Sequence, residues 1–168
     1  NTVLQSDADK IKTTLAKIDH TAFEMAVKTI IEAKNIYIVG IRSCAPLASF
    51  LAFYLNLMFD NVHLLTTNSS SELFEQMVRI DKSDLIVGIS FPRYSMRTLK
   101  ALEFANNRNA KVITITDSIH SPMNLYSSCN LIADSDMASI VDSLVAPLSV
   151  INALIVEKKK KKQKQVAK

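Results

Sequence analysis

The stretch Leu85-Ile86-Val87-Gly88-Ile89-Ser90-Phe91-Pro92-Arg93-Tyr94-Ser95-Met96-Arg97-Thr98 decides the fold. Its first five residues are a continuous apolar run, which predicts a strand covered on both faces rather than a half-exposed one. A polar loop with Pro92 follows, and helical spacing begins near Ser95, so the segment reads as a buried strand feeding a helix. Hydroxyls at Ser90, Ser95 and Thr98, two arginines and the unpaired N–H groups of a new helix then share one small volume. A helix N-terminus carries partial positive charge and free donors, and Arg93 adds a forked, charge-assisted contact, so the loop suits a phosphate or carboxylate. The alternative is that Ser95 is an N-cap and Pro92 turns the chain.

Working outward, the same alternation recurs. Strands are predicted at 36–39, 62–65, 85–89, 112–115 and 130–133, with helices at 46–59, 70–79, 95–108 and 139–160 and a short turn near 122–126. Two further helices come first, at 7–18 and from the capping box Thr21-Ala22-Phe23-Glu24 to Lys34. Short, β-branched strands alternating with helices predict an α/β fold, a three-layer α/β/α doubly wound domain with a five-stranded parallel sheet. The usual order is 2-1-3-4-5, with a crevice at the carboxyl ends of strands one and three. The loop Gly40-Ile41-Arg42-Ser43-Cys44 then faces the loop after strand three. The chain divides into leading helices (1–34), the core (35–157) and a Lys-rich C-terminal tail (158–168). Residues 46–59 are apolar nearly all round, as are Ser143 to Val156. Both predict a second buried face at a two-fold subunit interface, in a homodimer or homotetramer.

Composition bounds the function. The 168 residues suffice for one domain. Glu157 to Lys168 carries seven lysines and one glutamate; the remainder has 13 basic and 15 acidic residues, a net charge near −2. The folded body is therefore not a basic nucleic-acid binder, and the lysine run reads as a solvated, fraying tail. Two cysteines and no secretory signal pattern point to the cytoplasm. The longest nearly apolar run, Cys44 to Phe59, contains Asn56 and is short for a membrane span.

Three separated pieces carry a resemblance: Gly40-x-Arg42-Ser43, Ser90-Phe91-Pro92-Arg93-Tyr94-Ser95, and Thr116-Asp117-Ser118-x-x-Ser121-Pro122. Together they resemble the sugar isomerase (SIS) domain of RpiR/MurR-type bacterial transcription regulators, over about Thr21 to Val156. The resemblance implies an effector-sensing domain, not an enzyme. It would bind a phosphorylated sugar or related sugar acid and control DNA binding by a separate helix-turn-helix domain. Only two helices precede the first strand, and neither has a recognition-helix context, so DNA would be reached only through a domain missing from this chain. The family's ligand loops fall on Ser43, on Ser90 and Ser95, and near Asp117-Ser118. Many SIS domains carry Ser-x-Ser-Gly-x-Ser/Thr after strand three. Here Phe91-Pro92-Arg93-Tyr94 replaces the middle, which keeps the outer serines and adds a cation.

Each candidate has a second reading. Ser43 is a ligand hydroxyl, the N-cap of the next helix, or both; Arg42 clamps the ligand or lies along the surface. Asp117 accepts sugar hydroxyls or caps the Ser118–Pro122 turn. An alternative function, sugar-phosphate aldose–ketose isomerisation, would use Glu72 as base with His120 assisting. Yet Ser69-Ser70-Ser71-Glu72 also reads as a capping box, and His120 as an exposed loop residue. Cys44 lacks a Cys–His–acid arrangement and reads as a packed thiol. No spacing of His, Cys and carboxylates suggests a metal, and no Gly-x-Gly-x-x-Gly suggests a dinucleotide, so no cofactor is expected.

Overall fold

Every residue of strands β1 (Ile36–Gly40) and β3 (Leu85–Ile89) is buried, as their unbroken apolar character requires. The computed structural model describes residues 1–66, 69–135 and 142–168. β2 (Val62–Leu65), β4 (Lys111–Thr116) and β5 (Cys129–Ile132) complete one parallel sheet in the order β2-β1-β3-β4-β5. In the central pair Ile36 lies beside Leu85 and Gly40 beside Ile89, so both strands end at the same level. The helices are α1 (Thr2–Lys17), α2 (His20–Glu32), α3 (Ala45–Asn56), α4 (Ser70–Gln76), α5 (Met96–Asn107) and α6 (Val145–Val166). Two 3-10 turns, Arg42–Cys44 and Pro122–Leu125, follow β1 and β4.

The alternation of side chains along the strands builds two cores. Ile36, Ile38, Val87, Ile89, Ile113 and Ile115 pack against α2, α3 and α6. Tyr37, Val39, Ile86 and Val112 pack on the other face against α4 and α5. This is the three-layer arrangement expected from the strand pattern.

Several element ends differ from expectation for local reasons. α1 starts at Thr2 because the Asn1 side chain accepts from the Val3 N–H at 2.8 Å. The Thr21–Glu24 capping box does not form; Asp19 caps α2 instead, accepting from the Ala22 N–H at 3.1 Å. Residues 139–141, where the last helix was expected to begin, lie outside the described residues. Its far end is a clear correction. The lysine run is no fraying tail: α6 stays helical to Val166, and Lys158 is fully buried.

The apolar second face of α3 also finds a cover within the chain. Leu47, Leu51 and Leu55 of α3 share one core with Val150, Ile151 and Leu154 of α6. Burying such side chains stabilises the fold by about 1.5–3 kcal/mol each. Part of the continuous apolar character of this helix thus reflects a sandwich between sheet and α6, through Leu47, Ala48, Leu51, Ala52 and Leu55. Phe53, Tyr54 and Leu57 remain exposed. Among the described residues, no helix is long and apolar enough to cross a membrane.

Candidate functional site

The loops after β1 and β3 leave adjacent strands that end side by side, at the point where the strand order reverses. Gly40 makes the first loop possible. A side chain there would meet the Cys44 carbonyl oxygen at 2.6 Å, so only glycine lets the 3-10 turn fold over the strand end. Arg42 then adopts a left-handed backbone with φ 58°. Arg42 and Ser43 are both exposed. α3 has Cys44 at its N-cap position with no side-chain cap, so the N-cap role considered for Ser43 is not taken up.

The second loop is more tightly built. Ser90 is buried, and its Oγ accepts the Ser95 N–H at 3.1 Å, closing the loop on itself. The Ser95 Oγ in turn accepts the Thr98 N–H at 3.2 Å and caps α5. Each hydroxyl accepts one bond in this arrangement and retains an O–H to donate. Arg93, between them, has φ 67°, and its Nη2 donates to Asp142 Oδ1 at 2.9 Å. Phe91 is buried in the same core as Cys44. The two loops thus share one apolar anchor. Burial pushes the Cys44 thiol up to about 11, opposed by Phe91 and Ser43, so Cys44 is a packed group and not a nucleophile.

A third loop joins from β4. Tyr94 donates its phenolic proton to Asp117 Oδ1 at 2.6 Å. Burial and that carboxylate push the phenol up to about 12, so Tyr94 stays a donor at neutral pH. Thr116 Oγ1 lies 2.9 Å from Ser121 Oγ and 3.3 Å from Asp117 Oδ1. The cap role considered for Asp117 falls to its neighbours: Ser118 Oγ accepts the His120 N–H, and Ser121 Oγ accepts the Met123 N–H, both at 3.1 Å. Asp117 instead locks the β3 loop to the β4 loop. Three residues of the site were given no role by the sequence: Tyr94, Ser121 and Asp142. Tyr94 and Ser121 at least stood inside the motifs, whereas Asp142 is 49 positions from its partner and carries no local signal.

Not everything converges. A 210 Å³ cavity beside the first loop is lined by Gly40, Arg42, Ser49 and Thr66 but by none of the β3-loop residues. A 340 Å³ cavity lies at the far β5 edge, against Asp19, Met25 and Asn130, away from both crevice arginines. Glu72 is in the first turn of α4 after β2, and Ser69 caps that helix. His120 follows β4 and is exposed. β1 and β3 separate those two strands, so the strand ends lie about 14 Å apart. Glu72 and His120 thus follow strands that lie three places apart in the sheet. Among the described residues, no group of three or more His, Cys, Asp or Glu could hold a metal ion.

The family model described as the SIS domain matches residues 29–157. This chain belongs to the SIS domain family. Its fold superposes with a TM-score of 0.91 on the sugar isomerase domain of an RpiR transcription factor from Sphaerobacter thermophilus, 28% identical, covering 97% of this chain and 90% of the other. The SIS fold is also shared, at a TM-score of 0.79 and 19% identity, with the NanR protein of Vibrio vulnificus complexed with ManNAc-6P. That match covers 98% of this chain and 66% of NanR. In sequence the chain is 22% identical over 151 residues to an uncharacterized helix-turn-helix-type transcriptional regulator of Haemophilus influenzae, spanning 88% of this chain and 52% of the relative. The SIS chain thus spans about half the length of that regulator.

Proposed function

We propose that this SIS domain is the effector-sensing part of a cytoplasmic transcriptional regulator, binding a phosphorylated sugar or related sugar acid without turning it over. The observation that carries the reading is the β3 loop. Ser90 and Ser95 are tied to each other at a helix N-terminus, with Arg93 between them, at the crevice of the sheet. Those groups supply hydroxyl donors, helix N–H groups and a fixed cation, the set that a phosphate monoester requires. In this reading Arg42 and Ser43 would add a cation and a hydroxyl from the neighbouring β1 loop, and Asp117 and Ser118 would offer acceptors for sugar hydroxyls. The similarity to regulators supports a sensing role, and NanR, which shares the fold, is a phosphosugar complex. DNA would be contacted by a separate helix-turn-helix domain, and the sensing domain would work as a homodimer or homotetramer.

The test is a thermal-shift screen against sugar phosphates, sugar acids and inorganic phosphate. A ligand at 100 times its dissociation constant adds about 2.7 kcal/mol, a rise of roughly 5–10 °C for a chain of this size. Ser90→Ala with Ser95→Ala is expected to abolish the response while leaving a cooperative melt. Unchanged affinity in the double variant would remove the proposed site, and turnover of the hit would make the domain an isomerase.

A further inference from the structure

Arg93 does not stand alone at the crevice. Its guanidinium is 70% exposed, whereas the Asp142 side chain that holds it is only 12% exposed. The Asp142 charge also acts on the Cys44 thiol, so the carboxylate lies within electrostatic reach of both crevice loops. The next residue, Ser143, donates its hydroxyl proton to Asp7 Oδ1 on α1 at 2.7 Å. Asp7 is further paired with Lys10 at 3.5 Å. α1 is held to the body by such polar contacts: Thr14, its one buried residue, accepts the Asp134 N–H at 2.8 Å. A continuous line therefore runs from Arg93 in the β3 loop, through Asp142 and Ser143, to the inner face of α1.

We propose that Asp142 is an internal competitor for the ligand's anionic group at Arg93, and that its displacement releases the hold of Ser143 on α1. The inference rests on the reading of the crevice as an anion site. An arginine between Ser90 and Ser95 cannot serve a phosphate while a carboxylate keeps its place beside it, because two anions at one cation repel each other. The carboxylate moves away or the ligand binds more weakly. An ion pair with one solvent-exposed partner is worth little, so a dianionic phosphate held by two further hydroxyls displaces it at small cost. Asp142 and Ser143 are consecutive, so withdrawal of the carboxylate moves the Ser143 hydroxyl as well. By reciprocity, whatever loosens the segment at 142–143 tightens ligand binding.

Two readouts test this, with ManNAc-6P and inorganic phosphate as probes on the whole chain. Asp142→Asn keeps the side-chain volume and removes the charge. It is expected to bind ManNAc-6P about 2–5-fold more tightly than the wild type, the size of a partly exposed ion pair. Amide hydrogen exchange over α1 is expected to quicken in Asp142→Asn without any probe, and in the wild type once a probe is added. Adding a probe to Asp142→Asn is then expected to change α1 no further. Ser143→Ala, which leaves Arg93 and Asp142 in place, is expected to quicken α1 without a probe and, by the same reciprocity, to tighten probe binding. Binding of a probe with equal or weaker affinity in Asp142→Asn overturns the competition. Binding that leaves α1 exchange unchanged overturns the release. If neither probe binds wild type or variant, the anion site fails and the competition fails with it. Probe binding with normal α1 exchange sinks the latch and leaves the site standing.

Discussion

Arg42 and Arg93 share an unusual backbone, with φ of 58° and 67°, in the loops that follow two neighbouring strands. A left-handed conformation costs a non-glycine residue about 1–3 kcal/mol and persists where surrounding structure enforces it. Asn109, with φ 64°, has a milder explanation, since asparagine tolerates this region and here follows the C-terminus of α5. Arginine gains nothing of that kind from its side chain, so the cost at 42 and 93 is set against the use of a cation there. Arg93→Gly separates the two effects. It relieves the backbone, forfeits an exposed ion pair of at most about 1 kcal/mol and adds unfolded-chain freedom of about 0.5–1 kcal/mol. The expected result is a melting midpoint within about 3 °C of wild type. The thermal response to the best phosphosugar, by contrast, should largely disappear. A full response in Arg93→Gly would show that the guanidinium does not touch the ligand.

At the scale of elements, α6 holds the clearest liability. Lys158 is fully buried, its Nζ lies 3.8 Å from the centre of the Phe59 ring, and among the described residues the amine has no hydrogen-bond partner. Burial, with the charge of Lys162 added, pulls the amine down to about 8. Unfolded, the same amine keeps its proton up to about 10.4. Between those values unfolding takes up a proton, so rising pH stabilises the fold, and below pH 8 the penalty is fully present. Lys158→Met is expected to raise stability at pH 7 by about 1–3 kcal/mol, with the gain shrinking toward zero near pH 10.5. Urea unfolding of both proteins at pH 7 and pH 10 reads this directly; a difference that ignores pH would rule out the buried ammonium as its cause. This residue also shows where sequence reading stops. The strands were legible because parallel strands are apolar throughout, and Ser90 and Ser95 because a strand end and a helix start are local patterns. A lysine inside a lysine run looks solvated whatever its rotation on the helix, and only the packing of α6 on α3 and Phe59 singles out position 158. Asp117 was visible as a motif residue, but its hold on Tyr94, like that of Asp142 on Arg93, depends on loops brought together by the sheet.

Among the described residues, α1 and the end of α3 each carry exposed apolar side chains outside the cores. At the end of α3, Phe53 and Leu57 are 61% and 70% exposed, and Phe53 meets Tyr54 edge-on at 5.1 Å. On α1, Leu4, Ile11 and Leu15 are exposed, while polar contacts to the body come from Asp7 and Thr14 on the inner side. A helix whose polar side faces the protein and whose apolar side faces water gains nothing from that apolar side within one protomer. The α3 cluster is the stronger candidate for self-association, because its rings are already packed on one another and aromatic groups dominate interface cores. By light scattering the wild type is therefore expected to give an assembled mass, and Phe53→Glu with Leu57→Glu a monomeric one at the same concentration. Both residues are exposed in the protomer, so the melting transition should remain cooperative and the mass change should not reflect unfolding. If assembly survives that pair, the α3 end is not the contact. Leu4→Glu with Leu15→Glu then asks the same of α1. A monomeric wild type would remove self-association altogether and leave ligand binding to act within a single chain, through the segment that joins Arg93 to α1.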